Sequence, residues 1–384
     1  MVKRMNKHLI AFEVKKFAKR RKNLVIISLL FISIFLIFVL LNGLQSGETD
    51  TKIMNYEHNI SSIKQSLENL PGDDTPELNS IRESYNEELD LLESQINAIR
   101  NDDWRKQLAI QIQLDENIIH DINSEKVIGG EPVHIIEARI IQNQELINLD
   151  IEPVHPIIET EGIHFAKNIV GLTTSVLGFI IIIFIMGDTL SVEFERRTIN
   201  LLLTQPISRS SLLLSKTLIA IIFPAIIICL ICLLSIFLGV IFGGGMGALN
   251  YPLPYFSIEE ISVISISKQI IYSSTLFLFL IIFTVLLNNL IALLTDSNIM
   301  SLGLSVIIAV SFNLAVTQYG LLSSIAHVLP FTYLNSSAVI DGTIGVMTGN
   351  ANVNFLTGLI ILIAYSVIIY LFSLYLLNKK QFTN

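Results

Sequence analysis

Charge is scarce in this chain. Only 15% of its 384 residues are Asp, Glu, Lys or Arg, 52% are hydrophobic, and mean hydropathy is +0.62. Soluble domains carry about 25% charged residues. Cysteine is nearly absent: Cys229 and Cys232 lie together in an apolar run, with Ile and Leu around them and no second pair. That excludes a disulfide framework and leaves both as small apolar core residues. Recognisable catalytic signatures are missing too. There is no GxxxxGK[ST] phosphate loop, no HExxH, and no Ser/His/Asp order in a known frame. The seven histidines are scattered, and a zinc set drawn from His134, His155 and His164 lacks the spacing of a metal site. No catalytic residue, metal or cofactor is expected on the chain itself.

What remains is length and apolarity. Runs of about 18 or more apolar residues recur, enough to cross a bilayer core of roughly 30 Å. No alternating barrel pattern occurs, so the buried backbone must be helical. The chain reads as an all-α membrane protein with six transmembrane helices, at 24–42, 169–187, 212–242, 270–294, 299–318 and 355–377. The third run is too long for one straight span, and Pro224 inside it removes a backbone donor and predicts a kink. The first run is longer than a signal-peptide core and no A-x-A-like site follows it, so it reads as a span.

Basic residues near span ends stay in the cytoplasm. Nine precede the first span, Lys3, Arg4, Lys7, Lys15, Lys16, Lys19, Arg20, Arg21 and Lys22, which places the N-terminus inside. Six crossings return the 378–384 tail inside, in agreement with Lys379 and Lys380. The segment 43–167 then lies outside. It holds 25 acidic and 9 basic residues, a net −16, leaving 8 acidic and 16 basic, or +8, elsewhere. The overall −8 hides a strong polarity across the membrane.

Residues 1–23 read as a basic interfacial helix with Ile10, Val14 and Phe17 on one face. The outer segment 43–168 reads as an inserted helical-hairpin domain. Tyr56, Ile60, Ile63, Leu67 and Leu70 step by four and three. Beyond the PGDDTP breaker, Leu78, Ile81, Tyr85, Leu89, Leu92, Ile96 and Ile99 do the same. This is a heptad-like, coiled-coil-like seam on both sides of a turn. Weaker helical patterns cover 104–122 and 135–147. The domain suits substrate capture, a partner protein, or a spacer packing against its own copy. Two more outer segments follow: 243–269, opening on GGGMG and rich in Tyr and Pro, and 319–354, read as a re-entrant turn packed on protein.

Charges inside the membrane are few. Asp188 and Asp296 sit at span ends, and Asn288, Asn289 and Asn313 read as helix glue. An ion-driven transporter needs intramembrane ionisable groups, so energy for any transport must come from another subunit.

The 188–211 loop is the most informative segment. Residues 191–204 read as a short helix on the membrane surface, Ile199, Leu202 and Leu203 supplying apolar contact. Glu193, Glu195, Arg196 and Arg197 are expected to face water or a partner, and Pro206 ends the helix. A partner that grips such a lever transmits force into the second and third spans.

This segment resembles the coupling-helix region of ABC-2 type transporter permeases. Those chains typically show Glu, a Gly-Thr pair, a Leu-rich turn, Pro, a small residue with Arg, and a Lys opening the third span. The matching residues are Glu195, Thr198, Leu201, Leu202, Leu203, Pro206, Ser208, Arg209 and Lys216. Arg197 stands where the family often has Gly. The basic N-terminus, six spans and long first outer loop also follow the family plan, and the large insert is similar to subfamilies implicated in drug, antimicrobial-peptide or sodium export. The resemblance implies a non-catalytic membrane subunit in a bacterial plasma membrane. It would be paired with a second or sister permease and two cytoplasmic ATPase subunits, which carry the ATP and magnesium. Glu193, Glu195, Arg196, Arg197, Thr198, Leu201, Leu202, Pro206 and Arg209 would form the ATPase-coupling set. No nucleic-acid partner is expected. An apolar path without buried charge suits a lipophilic or amphipathic cargo, an antibiotic or antimicrobial peptide. The alternatives are a sodium-exporting permease and a non-transporting scaffold or sensor.

Overall fold

A backbone in hydrocarbon must satisfy its own hydrogen bonds, and the apolar runs do so as helices. The computed structural model describes residues 7–45, 47–71, 75–124, 131–196, 198–199 and 208–380. In chain order, α1 (Lys7–Ala18) leads into the long apolar α2 (Arg21–Gln45). The helical domain follows as α3 (Glu48–Glu68), α4 (Pro76–Arg100), α5 (Trp104–Asn123) and α6 (Val133–Leu149). The chain re-enters the bundle through α7 (Gly162–Thr173), α8 (Val176–Met186) and α9 (Asp188–Glu195). After α10 (Arg209–Phe242) comes a hairpin, β1 (Pro252–Tyr255) with β2 (Ser262–Ser265), then α11 (Ile266–Thr295) and α12 (Asn298–Thr317). Two 3-10 turns, Ser323–Val328 and Pro330–Leu334, lead to α13 (Ser336–Ile340), α14 (Thr343–Thr348) and the last span, α15 (Phe355–Lys379).

Among the described residues, α2, α10, α11, α12 and α15 are each long and apolar enough to cross a membrane. The pair α7–α8 passes the same test only as a unit, bent by 69°. Where the sequence suggested one straight span over 169–187, the helix breaks at Thr173–Ser175. Hydroxyls there fold back on the preceding turn: Thr173 Oγ1 donates to Ile169 O at 2.8 Å and Ser175 Oγ to Leu172 O at 2.6 Å. The Thr174 carbonyl, freed by the break, accepts from Ser336 N at 3.2 Å. Gly178 permits the fold, since a Cβ there would lie 2.0 Å from Thr173 O. By contrast α10 runs as one helix of 34 residues through Pro224.

The central span is α11. It packs against α15, α12, α10, α7 and α13, and Leu276, Phe277, Leu280 and Ile281 on it are fully buried. The outer surfaces of α2, α10 and α15 carry exposed Leu, Ile and Phe, as a lipid-facing surface requires. Cys229, read as a core residue, lies on that exposed surface of α10, and Cys232 is half-buried. The 319–354 segment is packed on protein: Tyr333 is fully buried and its hydroxyl donates to His327 O at 2.7 Å, while Asn313 Nδ2 donates to Phe331 O at 3.1 Å.

In the helical domain α3 packs on α4, α4 on α5 and α5 on α6. The seam residues Leu89, Leu92 and Ile96 are buried, whereas Ile81 toward the α3–α4 turn is 37% exposed. A buried Asp115 accepts from Arg139 Nε and Nη2, both at 2.8 Å, which ties α5 to α6. The β-hairpin, not foreseen in the sequence, then joins this domain to the bundle. Gln142 Nε2 on α6 donates to Pro252 O at 2.8 Å, and Phe256 N donates to Asp341 O at 2.8 Å.

Candidate coupling site

Helix α9 follows α8 directly and runs to Glu195 with Arg196 as its C-terminal cap, while positions 197 and 200–204 of the 191–204 helix read from the sequence lie outside the described residues. Its apolar residues Leu190 and Phe194, four apart, share a face. They enter a small core with Ile199, Leu212, Leu213, Ala292, Leu293 and Leu377. That core joins α9 to the near ends of α10, α11 and α15. Ser191 Oγ donates to Asn298 Oδ1 at 2.5 Å, and Glu195 Oε2 accepts from Asn298 N at 3.3 Å. The Glu195 carboxylate therefore sits at the N-terminus of α12, where the helix dipole favours negative charge. Asn288 on α11 donates to Gly187 O and accepts from Ser305 Oγ at 3.3 Å.

A chain of alternating charges lies behind this helix. Glu193, only 2% exposed, accepts through one oxygen from Lys16 and, at 3.3 Å, from Lys216. Its second oxygen accepts from the Thr198 hydroxyl. Lys216, 1% exposed, reaches on to Glu13 Oε2 at 2.7 Å. Three elements meet here: α1 through Glu13 and Lys16, the connector through Glu193 and Thr198, and α10 through Lys216. Burying two acids and the Lys216 ammonium, with a half-buried Lys16 beside them, is costly unless the charges are matched. Burial pushes the Glu193 carboxyl up, but Lys216, Lys16 and Thr198 outweigh it and hold it at about 2. Phe17 secures the same junction, its ring centroid 4.1 Å from that of Phe223.

Two more cations close the neighbouring helix ends. Arg209 Nη1 donates to Leu377 O at 2.6 Å and to Asn378 O and Lys380 O at 3.0 Å, supplying donors to the otherwise unsatisfied carbonyls of α15. Lys380 Nζ donates to Leu293 O at 2.7 Å and Asp296 Oδ1 at 2.5 Å, and lies over the Phe194 ring at 5.2 Å.

This geometry revises the surface expected from the sequence. Glu193 does not face water; its charge is internal because a Lys two turns into α10 needs a counter-ion. Arg209 is committed to α15. Glu195 and Arg196 are exposed. Arg197, Leu201, Leu202 and Pro206 lie outside the described residues, as does Leu203.

The match that decides the family runs through this junction. A family model described as ABC-2 family transporter protein matches residues 8–382. The chain belongs to the ABC-2 transporter family. No curated protein and no solved structure matches it. As an ABC-2 permease it is the multi-pass membrane subunit of an ABC transporter, a non-catalytic subunit whose family works with an ABC ATPase. At this junction the permease's connector places contacts from Glu193, Glu195, Thr198 and Arg209, with Arg196 exposed beside them; the sequence reading named all five. It missed Glu13, Lys16, Asn298 and Lys380. One signal was available: Glu13 is the only acidic residue in the first 47, set among the basic residues before the first span.

Proposed function

We propose that this permease is the bilayer gate of an ATP-driven exporter in a bacterial plasma membrane. Two such chains, or one with a sister, are worked by two cytoplasmic ATPase subunits. The connector and both termini lie in the cytoplasm, and the helical domain outside. ATP binding closes the ATPases against α9. The push passes through the Glu193–Lys216 contact into α10 and through the Lys16 and Glu13 contacts into α1, opening a path outward between the permeases. The observation that carries this reading is the buried charge chain: a surface helix wired to two other elements by matched ions transmits force, where a plain loop would yield. Glu195 and Arg196 are the exposed residues a partner can grip.

An apolar, lipid-exposed outer surface on α2, α10 and α15 supports a lipophilic or amphipathic cargo entering from the bilayer, an antibiotic or antimicrobial peptide. The role is then resistance or self-immunity.

The test is Arg196→Glu, beside Glu195→Arg, in the membrane-embedded protein. ATPase copurification and substrate-dependent ATP turnover should fall several-fold while thermal stability of Arg196→Glu stays put. Unchanged copurification and turnover in both variants would overturn the proposal.

A further inference from the structure

At the opposite end of the bundle, a cavity of about 370 Å³ lies where the 151–154 linker, the start of α7 and the loop after α10 come together. Ligand sites run from about 300 to 1,000 Å³. Glu152, Glu159 and Glu161 line it, and no Lys or Arg does. Glu159 is satisfied: it accepts from Thr160 N at 2.8 Å, Glu161 N at 2.9 Å and Gln45 Nε2 at 3.2 Å. Tyr251 is also engaged, its hydroxyl accepting from Val154 N at 3.3 Å.

The other acceptors are unused. The carboxylates of Glu152 and Glu161 make no hydrogen bond or ion pair among the described residues. Burial, then the charges of Glu159 and Glu152, hold the Glu161 carboxyl above its ordinary range. His164 is the decisive group. It is only 5% exposed, lines the cavity edge-on to Tyr251 at 4.6 Å, and has no hydrogen-bond partner among the described residues. Its ring nitrogens are not among the fully buried atoms that lack a partner, so they open onto the cavity, where the unprotonated one can accept from a donor.

We propose that this cavity binds the primary ammonium group of a small aliphatic amine. An ammonium offers three donors and no acceptor, which matches two open carboxylates and an imidazole nitrogen. Among the described residues no three of His, Cys, Asp and Glu are arranged to hold a metal ion. The site is separate from the connector and independent of what the protein transports. Its walls come from the linker to the helical domain and from the bundle, so an occupant bridges the two.

The experiment is calorimetric titration of the full-length protein in nanodiscs with 1,4-diaminobutane, with tetramethylammonium and calcium as comparison probes. Saturable one-site binding of the diamine is expected, weakened about tenfold or more by Glu152→Gln and by Glu161→Gln. Glu152 is exposed, so its variant keeps the test valid if Glu161→Gln folds poorly. The proposal is overturned by no saturable diamine binding, by unchanged affinity in Glu152→Gln, by equal binding of tetramethylammonium, which has no N–H donor, or by calcium binding in the diamine's place.

Discussion

Lys216 Nζ lies 2.7 Å from Glu13 Oε2, joining residues 203 positions apart. A span of this permease is thereby clasped to the helix that opens the described chain. The same ammonium is 3.3 Å from Glu193 Oε1, so one buried cation holds α1 and the connector to α10 at once. Glu13 takes its cation from Lys216, and without it the connector would have no polar tie to α10 at this point.

Replacing Lys216 with Met should therefore be severe. It leaves Glu13 without its cation and Glu193 with Lys16 and Thr198 alone. Breaking a buried pair from one side costs about 3–5 kcal/mol. A thermal melt in detergent should show a large loss for Lys216→Met and partial recovery in Lys216→Met with Glu13→Gln, which removes the stranded charge. A single variant that melts with the wild type would remove the network from the account of this junction.

Much of this protein was legible before any coordinates, and the reasons differ by element. Apolar runs announce spans because hydrocarbon tolerates no unsatisfied backbone. The four-and-three steps from Leu89 to Ile96 announced a helical face because helix period is local. The broken α7–α8 unit was not legible. The carbonyl it frees, Thr174 O, is satisfied by Ser336 N, a residue far away in sequence. The partners of Lys216 were hidden for the same reason: Glu13 and Lys16 looked like part of an exposed basic flank, and only the fold turns that face inward. The Pro252–Tyr255 strand was obscured by its two prolines, which local propensity disfavours but an edge strand accepts.

The charge chain also makes a pH prediction. The Glu193 carboxyl is held at about 2 against an ordinary 4.5. A carboxyl depressed in the folded state stabilises the fold fully above its ordinary value, and that contribution fades as pH falls toward the folded value. Other carboxylates titrate here too, so the readout is a difference. The melting-temperature advantage of wild type over Glu193→Gln should be constant near neutral pH and shrink from about pH 5 toward pH 3. An advantage that stays level across that window would show that Glu193 is not held as an ion.

At the other end of the bundle the fold depends on an approach too close for any side chain. A Cβ on Gly239 would lie 2.4 Å from Gly162 Cα and 2.6 Å from Thr160 O. This closeness lets Gly162 N donate to Gly245 O at 2.9 Å and Ile163 N to Met246 O at 2.8 Å, satisfying two amides at the start of α7. The obstacles are backbone atoms, which cannot rotate aside. Gly239→Ala must push α7 off α10 and lose those bonds, and overpacking of this kind costs about 1–3 kcal/mol. Hydrogen exchange should rise at Gly162 and Ile163, with a lower melting temperature. Gly303 in α12 has nothing within 4 Å of its notional Cβ, so Gly303→Ala is the control and should cost nothing. If the two alanine variants melt alike, the contact of α7 with α10 is looser than these distances and the 160–163 corner needs no glycine opposite it.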